Sequence, residues 1–263
     1  MDRLLSSQAL LAGRVKSCLI TETLTPSAQF LLVHVLTAFL KQERKVLLVL
    51  TQDSLVSFVR MAKKIGRLDL QKYASSGKLV VLDFFSDGYS SYLQNDPSLP
   101  TVTPLSPHYH FGRYPCNTST DGDLSFARSF FHTIATHVSE REVDCCLWDS
   151  WNSLLQLPSA LTQMEGWCGL FYQFYRHLQH LSPEMVLVSV WFLSSDAPPP
   201  HTRLLRSLQH GSQQVLAVAP IVGGSNTVMS TNSDIVEGEI VSISGDYHLF
   251  TYNLASGQVV LEG

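Results

Sequence analysis

Two short runs of this chain, Lys45 to Leu50 (Lys-Val-Leu-Leu-Val-Leu) and Lys78 to Asp83 (Lys-Leu-Val-Val-Leu-Asp), are apolar without alternation. A strand that is apolar on both faces belongs to a parallel sheet covered by helices on both sides. The same reading fits Val15 to Thr21, Asp144 to Asp149, Met185 to Phe192 and Gln214 to Ala219. Helical stretches separate these strands. The first opens at Thr25-Pro26, where Thr can cap and Pro is tolerated at the first helical position, and continues through Phe30 to Leu40. It is apolar nearly all round, so it should be buried against the sheet. Further helices are expected from Asp53 to about Ile65, closed by Gly66 as a C-cap, and over Leu124 to Glu140, Gly166 to His180 and His201 to His210. From Glu237 apolar and polar residues alternate, broken by turns at Gly245-Asp246 and Ser256-Gly257, which reads as an antiparallel meander. The expected fold class is therefore α/β: a mostly parallel sheet flanked by helices and extended by C-terminal antiparallel strands.

A chain of 263 residues can bury one full core, and nothing in its composition marks a split, so a single domain over 1–263 is expected. One stretch interrupts the regular pattern. From about 84 to 123 the chain is rich in Pro, Ser and aromatics and lacks steady periodicity. Loops longer than about 15 residues are usually functional or disordered. Phe84, Phe85, Tyr89, Tyr92, Tyr109, Phe111 and Tyr114 argue for ordering against this chain or a partner.

Only 15 % of residues are charged, against roughly 25 % in ordinary soluble domains, which suits a surface shared with neighbours. A net charge of -4 argues against a general polyanion binder but leaves room for a local basic patch. The five cysteines, Cys18, Cys116, Cys145, Cys146 and Cys168, form no C-x-x-C pair, and Cys145 and Cys146 should point to opposite faces of one strand. They read as small core residues in a reducing compartment, and the sequon at Asn117 reads as chance. The longest apolar run, Phe30 to Leu40, is broken by His34 and Thr37 and falls short of the roughly 18 residues of a membrane span. Asp2 counts against a signal peptide, so the amino terminus reads as a small amphipathic helix.

Between the first strand and the first helix stand Glu22, Thr23, Leu24, Thr25, Pro26 and Ser27. A phosphate-binding loop at this place needs glycines for close backbone approach, free N–H groups and a Lys for the β and γ phosphates. This turn has none of them, so the chain has the frame of a P-loop ATPase without the loop and no nucleotide cofactor is expected. Asp149 ends an apolar strand as the magnesium-assisting Asp of a Walker B strand would. Without a phosphate loop it reads better as a structural residue capping the Ser150-Trp-Asn-Ser turn, and the same logic applies to Asp83.

Other constellations are weaker. Arg60, Lys63, Lys64 and Arg67 recur at helical spacing, and Arg203 and Arg206 follow the loop Ser194 to Pro200. Each group is either a solvated face or a set of phosphate contacts. His108, His110, Cys116 and Asp121 match no standard metal spacing, and no metal site is expected. His34 reads as a core histidine, while His177 and His180 share a helix face and pack or meet a partner. Gly223-Gly-Ser-Asn-Thr lacks the closing glycine of a G-x-S-x-G elbow, so hydrolase chemistry has no nucleophile here.

Four blocks resemble one family: Phe30-Leu-Leu-Val-His-Val-Leu-Thr-Ala-Phe-Leu-Lys, Arg44-Lys-Val-Leu-Leu-Val-Leu, Met61-Ala-Lys-Lys-Ile-Gly66 and Gly77-Lys-Leu-Val-Val-Leu-Asp-Phe. Together with Cys145-Cys-Leu-Trp-Asp-Ser-Trp-Asn-Ser-Leu-Leu-Gln-Leu and the terminal meander, they are similar to the sixth subunit of the Elongator complex. That resemblance implies a RecA-like subunit without ATPase signatures, in a hetero-hexameric ring with the fourth and fifth subunits. The ring docks on the catalytic Elongator subcomplex, binds tRNA and supports wobble-uridine modification. It also implies a cytoplasmic protein, with the nucleus as a second compartment, that carries no chemistry of its own. Arg203 and Arg206, then Lys63 and Lys64, are the candidate tRNA contacts. Two alternatives stay open: a RecA-like ATPase ring subunit that lends residues to a nucleotide held at a subunit junction, and another RecA-type scaffold, such as a recombinase paralogue or a circadian-type ATPase relative.

Overall fold

A computed structural model describes residues 10–22, 28–85, 122–155, 161–194, 196–219, 235–242, 247–253 and 258–262. The strands are β1 (Ser17–Glu22), β2 (Val46–Leu50), β3 (Leu79–Asp83), β4 (Cys145–Trp148), β5 (Val186–Phe192), β6 (Gln214–Ala219), β7 (Ile235–Ser242), β8 (Tyr247–Asn253) and β9 (Gln258–Glu262). The helices are α1 (Gln29–Lys41), α2 (Leu55–Met61), α3 (Leu70–Ser75), α4 (Gly122–Arg141), α5 (Asn152–Leu155), α6 (Leu161–Leu181) and α7 (Pro199–Gly211), and a π-helical turn, Ala62–Gly66, continues α2.

All nine described strands join one sheet in the order β3-β2-β4-β5-β1-β6-β7-β8-β9. The first six in that order run parallel and the last three antiparallel, as the switch from continuous to alternating apolar pattern requires. Parallel strands place their carboxyl ends along one edge. Glu22, Asp83 and Asp149 therefore stand on the same rim of the sheet.

The two faces bury different chemistry. Alternate strand residues such as Ile20, Leu48, Val81, Cys145 and Val188 pack against α1, α2 and the π turn in a mainly aliphatic core. Leu19, Leu47, Leu82, Cys146 and Leu187 meet α4, α6 and α7 across a core rich in rings. There Trp148 stacks on Trp151 with centroids 4.0 Å apart, and Phe131 stacks on Phe174 at the same separation. Cys145 and Cys146 thus enter different cores, as strand alternation demands. Burial lifts the Cys18 and Cys146 thiols to about 12, so both behave as apolar filling.

Three local details differ from expectation. The helix expected over Asp53 to Ile65 is α-helical only from Leu55 to Met61 and then widens into the π turn. Gly66 is not its left-handed cap; Arg67 is, with φ 51°. Gly66 serves close approach instead, because a Cβ there would lie 2.3 Å from Thr37 Oγ1 on α1. Third, α3 had no sequence expectation, although Asp69 caps it by accepting from the N–H groups of Gln71 and Lys72. Thr23 to Ser27, the stretch from 86 to 121 with His108, His110, Cys116 and Asp121, and residues 220–234 lie outside the described residues. So do the amino-terminal nine residues.

Candidate functional site

The carboxyl rim of the parallel sheet is where an open α/β protein binds its ligands. β4 delivers Asp149 to this rim, 3 % exposed, with the loop after β2 directly opposite. Its Oδ1 accepts from Thr51 N at 2.8 Å and from Thr51 Oγ1 at 2.7 Å; its Oδ2 accepts from Gln52 N and Asp53 N, both at 2.9 Å. A carboxylate offers about four lone-pair sites. All four are used by the chain's own donors. Burial pushes the carboxyl up to about 6, against the lowering effect of those hydrogen bonds, so it is ionised at neutral pH.

Asp149 therefore does not cap the turn that follows it. Ser150 does that, its Oγ accepting from Asn152 N at 3.1 Å. Asn152 in turn brackets the end of β5, donating to Phe192 O at 2.8 Å and accepting from Phe192 N at 2.7 Å. Thr51 is a site residue that sequence reasoning missed. Its hydroxyl donates to Asp149, stands against Ser150 O, and accepts from the Trp148 indole N–H at 3.3 Å. Its place directly after a buried strand, opening the polar Thr-Gln-Asp-Ser run, was the available signal.

Glu22 closes β1 and is 5 % exposed. Its carbonyl accepts from Leu193 N at 2.7 Å, and its neighbours across the sheet are Phe192 and Val218. The carboxylate Oε2 accepts from Ala28 N at the start of α1. That helix has no side-chain cap at Ala28 and no acidic residue in its first turn. An anion supplied by the preceding strand completes it. Asp83, 0 % exposed, ends β3 on the same rim.

The candidate cations are not gathered into one site. Arg203 and Arg206 lie on α7, whose Leu204 and Leu208 enter the ring-rich core; Lys63 and Lys64 lie on the π turn, whose Ala62 enters the aliphatic core. The two pairs flank opposite faces of the sheet. Arg203 is ion-paired with Glu165 of α6 across a groove of about 300 Å³ lined by Cys168, Tyr172 and Ser207. Arg60, Lys63, Lys64 and Arg67 are exposed together around the π turn, and Arg60, Lys63 and Arg67 make no ion pair among the described residues.

A nucleotide-binding protein of this topology holds phosphate at the start of the helix after β1 and magnesium beside the carboxylate that ends a neighbouring strand. The described residues do not fit that ligand: one position faces a carboxylate of the chain, and the other has no lone pair left for a metal-bound water. No group of three or more potential metal ligands occurs among the described residues.

The strand order, the helices on both faces and the antiparallel extension make up a RecA-like α/β fold. Among solved structures, the chain is similar to the KaiC-like protein PH0186 from the hyperthermophilic archaeon Pyrococcus horikoshii OT3, with a TM-score of 0.62 over 94 % of this chain and 89 % of that one. Sequence identity is 9 %, so the likeness is one of fold. No protein-family profile matches the chain, and no curated protein matches it. No helix among the described residues is long and apolar enough to cross a membrane.

Proposed function

We propose that this chain is a non-catalytic subunit of the Elongator complex, seated in a hetero-hexameric RecA-like ring with the fourth and fifth subunits. In this reading the ring binds tRNA and supports wobble-uridine modification by the catalytic subcomplex. The observation that carries the non-catalytic part is Asp149, whose lone pairs are all committed to Thr51, Gln52 and Asp53. The Elongator part is supported by the sequence resemblance, whose blocks fall on α1, β2, the π turn, β3 and β4. Mass spectrometry of the native assembly tests it: the other Elongator subunits should co-purify, and their absence overturns the reading.

Within this reading, the RNA-phosphate contacts fall better on the π turn than on Arg203. Arg203 is already engaged in an ion pair with Glu165, whereas Lys63 stands exposed between Arg60 and Arg67. Lys63→Glu with Arg67→Glu should weaken tRNA binding by the assembled ring and flatten its salt dependence by about one unit of slope per lost contact. Unchanged affinity and slope would remove this surface from the reading. A second reading, a ring subunit that lends an arginine to a neighbour's nucleotide, is favoured by Arg206, which is exposed on α7 and makes no ion pair among the described residues. Loss of ring ATPase on Arg206→Ala would support it, and unchanged turnover would end it.

A further inference from the structure

The start of α1 lacks what helices ordinarily supply for themselves. A helix of 13 residues has first N–H groups with no partner within the helix itself, and its aligned peptide dipoles place about half a positive charge at that end. Ala28, Phe30, Leu31 and Leu32 are buried there and Gln29 is half-buried, so bulk water has limited access to this end. A buried positive pole requires a buried anion.

Glu22 delivers one from a fixed base. Its main chain is locked on both sides of β1, to Phe192 and Leu193 on one flank and Val218 on the other. Its carboxylate reaches six residues forward to the N–H of Ala28. In strand-turn-helix nucleotide sites this pole is occupied by a phosphate of the ligand.

We propose that Glu22 is a built-in substitute for that phosphate: an intramolecular anion that fills the pole of α1 and frees the fold from any need for a nucleotide. The proposal rests on the RecA-like fold and the Glu22 contact, and holds whatever the ring partners are. The sequence between β1 and α1 has no glycine or lysine for a phosphate, and the end of the strand carries a carboxylate at the place a ligand phosphate would take.

The test is chemical rescue. Thermal unfolding is followed for the wild-type chain, Glu22→Ala, Glu22→Gln and Leu36→Ala, with inorganic phosphate or pyrophosphate added against chloride of equal ionic strength. Leu36 is fully buried in α1 and controls for the general stabilisation that phosphate gives to any weakened protein. The expected result is that Glu22→Ala melts below wild type and recovers with pyrophosphate, with an apparent affinity about tenfold or more above that of wild type and of Leu36→Ala. Glu22→Gln, which keeps an acceptor oxygen and loses the charge, should fall between and recover in part. Equal responses of all four chains to phosphate overturn the proposal. So does a Glu22→Gln chain as stable as wild type, because the carboxylate would then serve as a neutral acceptor. If Glu22→Ala does not fold, the comparison of Glu22→Gln with wild type decides alone.

Discussion

Glu22 and Asp149 end two strands of the same sheet, with β5 between them, and both are buried carboxylates bonded to main-chain N–H groups. They differ in what they fasten. Glu22 reaches six residues forward and joins the end of β1 to the start of α1; Asp149 reaches back 96 to 98 residues and ties the end of β4 to the loop after β2. The difference teaches that the two halves of a nucleotide apparatus can be replaced by one chemical device used at two ranges. One is a helix pole filled locally. The other is a tertiary staple with four donors.

This contrast predicts unequal costs of removal. Asp149→Ala leaves three main-chain N–H groups and the Thr51 hydroxyl without their acceptor, and should cost about 3 kcal/mol in urea unfolding. A cost no larger than that of Glu22→Ala would erase the distinction between staple and cap. Next in size is a pH effect. Burial raises the Asp149 carboxyl from its ordinary range near 4 to about 6, so its contribution is fully present below about pH 4 and lost as pH rises through about 6. Over that window wild-type stability should fall by on the order of 2 kcal/mol relative to Asp149→Asn, whose profile should lack this slope. A parallel pair of profiles would show that the carboxyl titrates normally.

Thr51→Val removes one donor to Asp149 and the acceptor for the Trp148 indole, and should cost about 1 to 2 kcal/mol. Glu22→Ala should cost about 1 kcal/mol, the usual range for loss of a helix cap, measured by the same unfolding assay. The smallest effect belongs to Lys63→Glu. An exposed cation with no ion pair among the described residues should change stability by less than about 0.5 kcal/mol, so any loss of tRNA binding by this variant reports contact and not folding.

Much of the fold was legible because its signals are local. The continuous apolar runs of β2 and β3 announced a parallel sheet, and the alternation from Glu237 announced β7 to β9. Where the reading failed, the decisive contact lay elsewhere in the chain. Gly66 stands where a helix cap would, yet its role is set by Thr37 on α1, which excludes a Cβ there. Asp149 lies beside a turn it could cap, but its donors come from Thr51, Gln52 and Asp53, brought opposite by the pairing of β2 with β4. The missing phosphate loop was plain in the sequence. The carboxylate that stands in for the phosphate was not, because nothing in the composition of the turn says that the Glu22 side chain folds forward onto Ala28.

The central claim is that both positions a magnesium nucleotide would occupy are filled by the chain itself. Isothermal titration of the wild-type chain with ATP and magnesium, supported by thermal unfolding in the same solutions, tests this most directly. The expected result is no saturable heat and no rise in melting temperature at millimolar nucleotide. A ligand at about 100 times its dissociation constant would add roughly 2.7 kcal/mol of stability; saturable binding with a rise of that size, lost in Asp149→Ala, would contradict it.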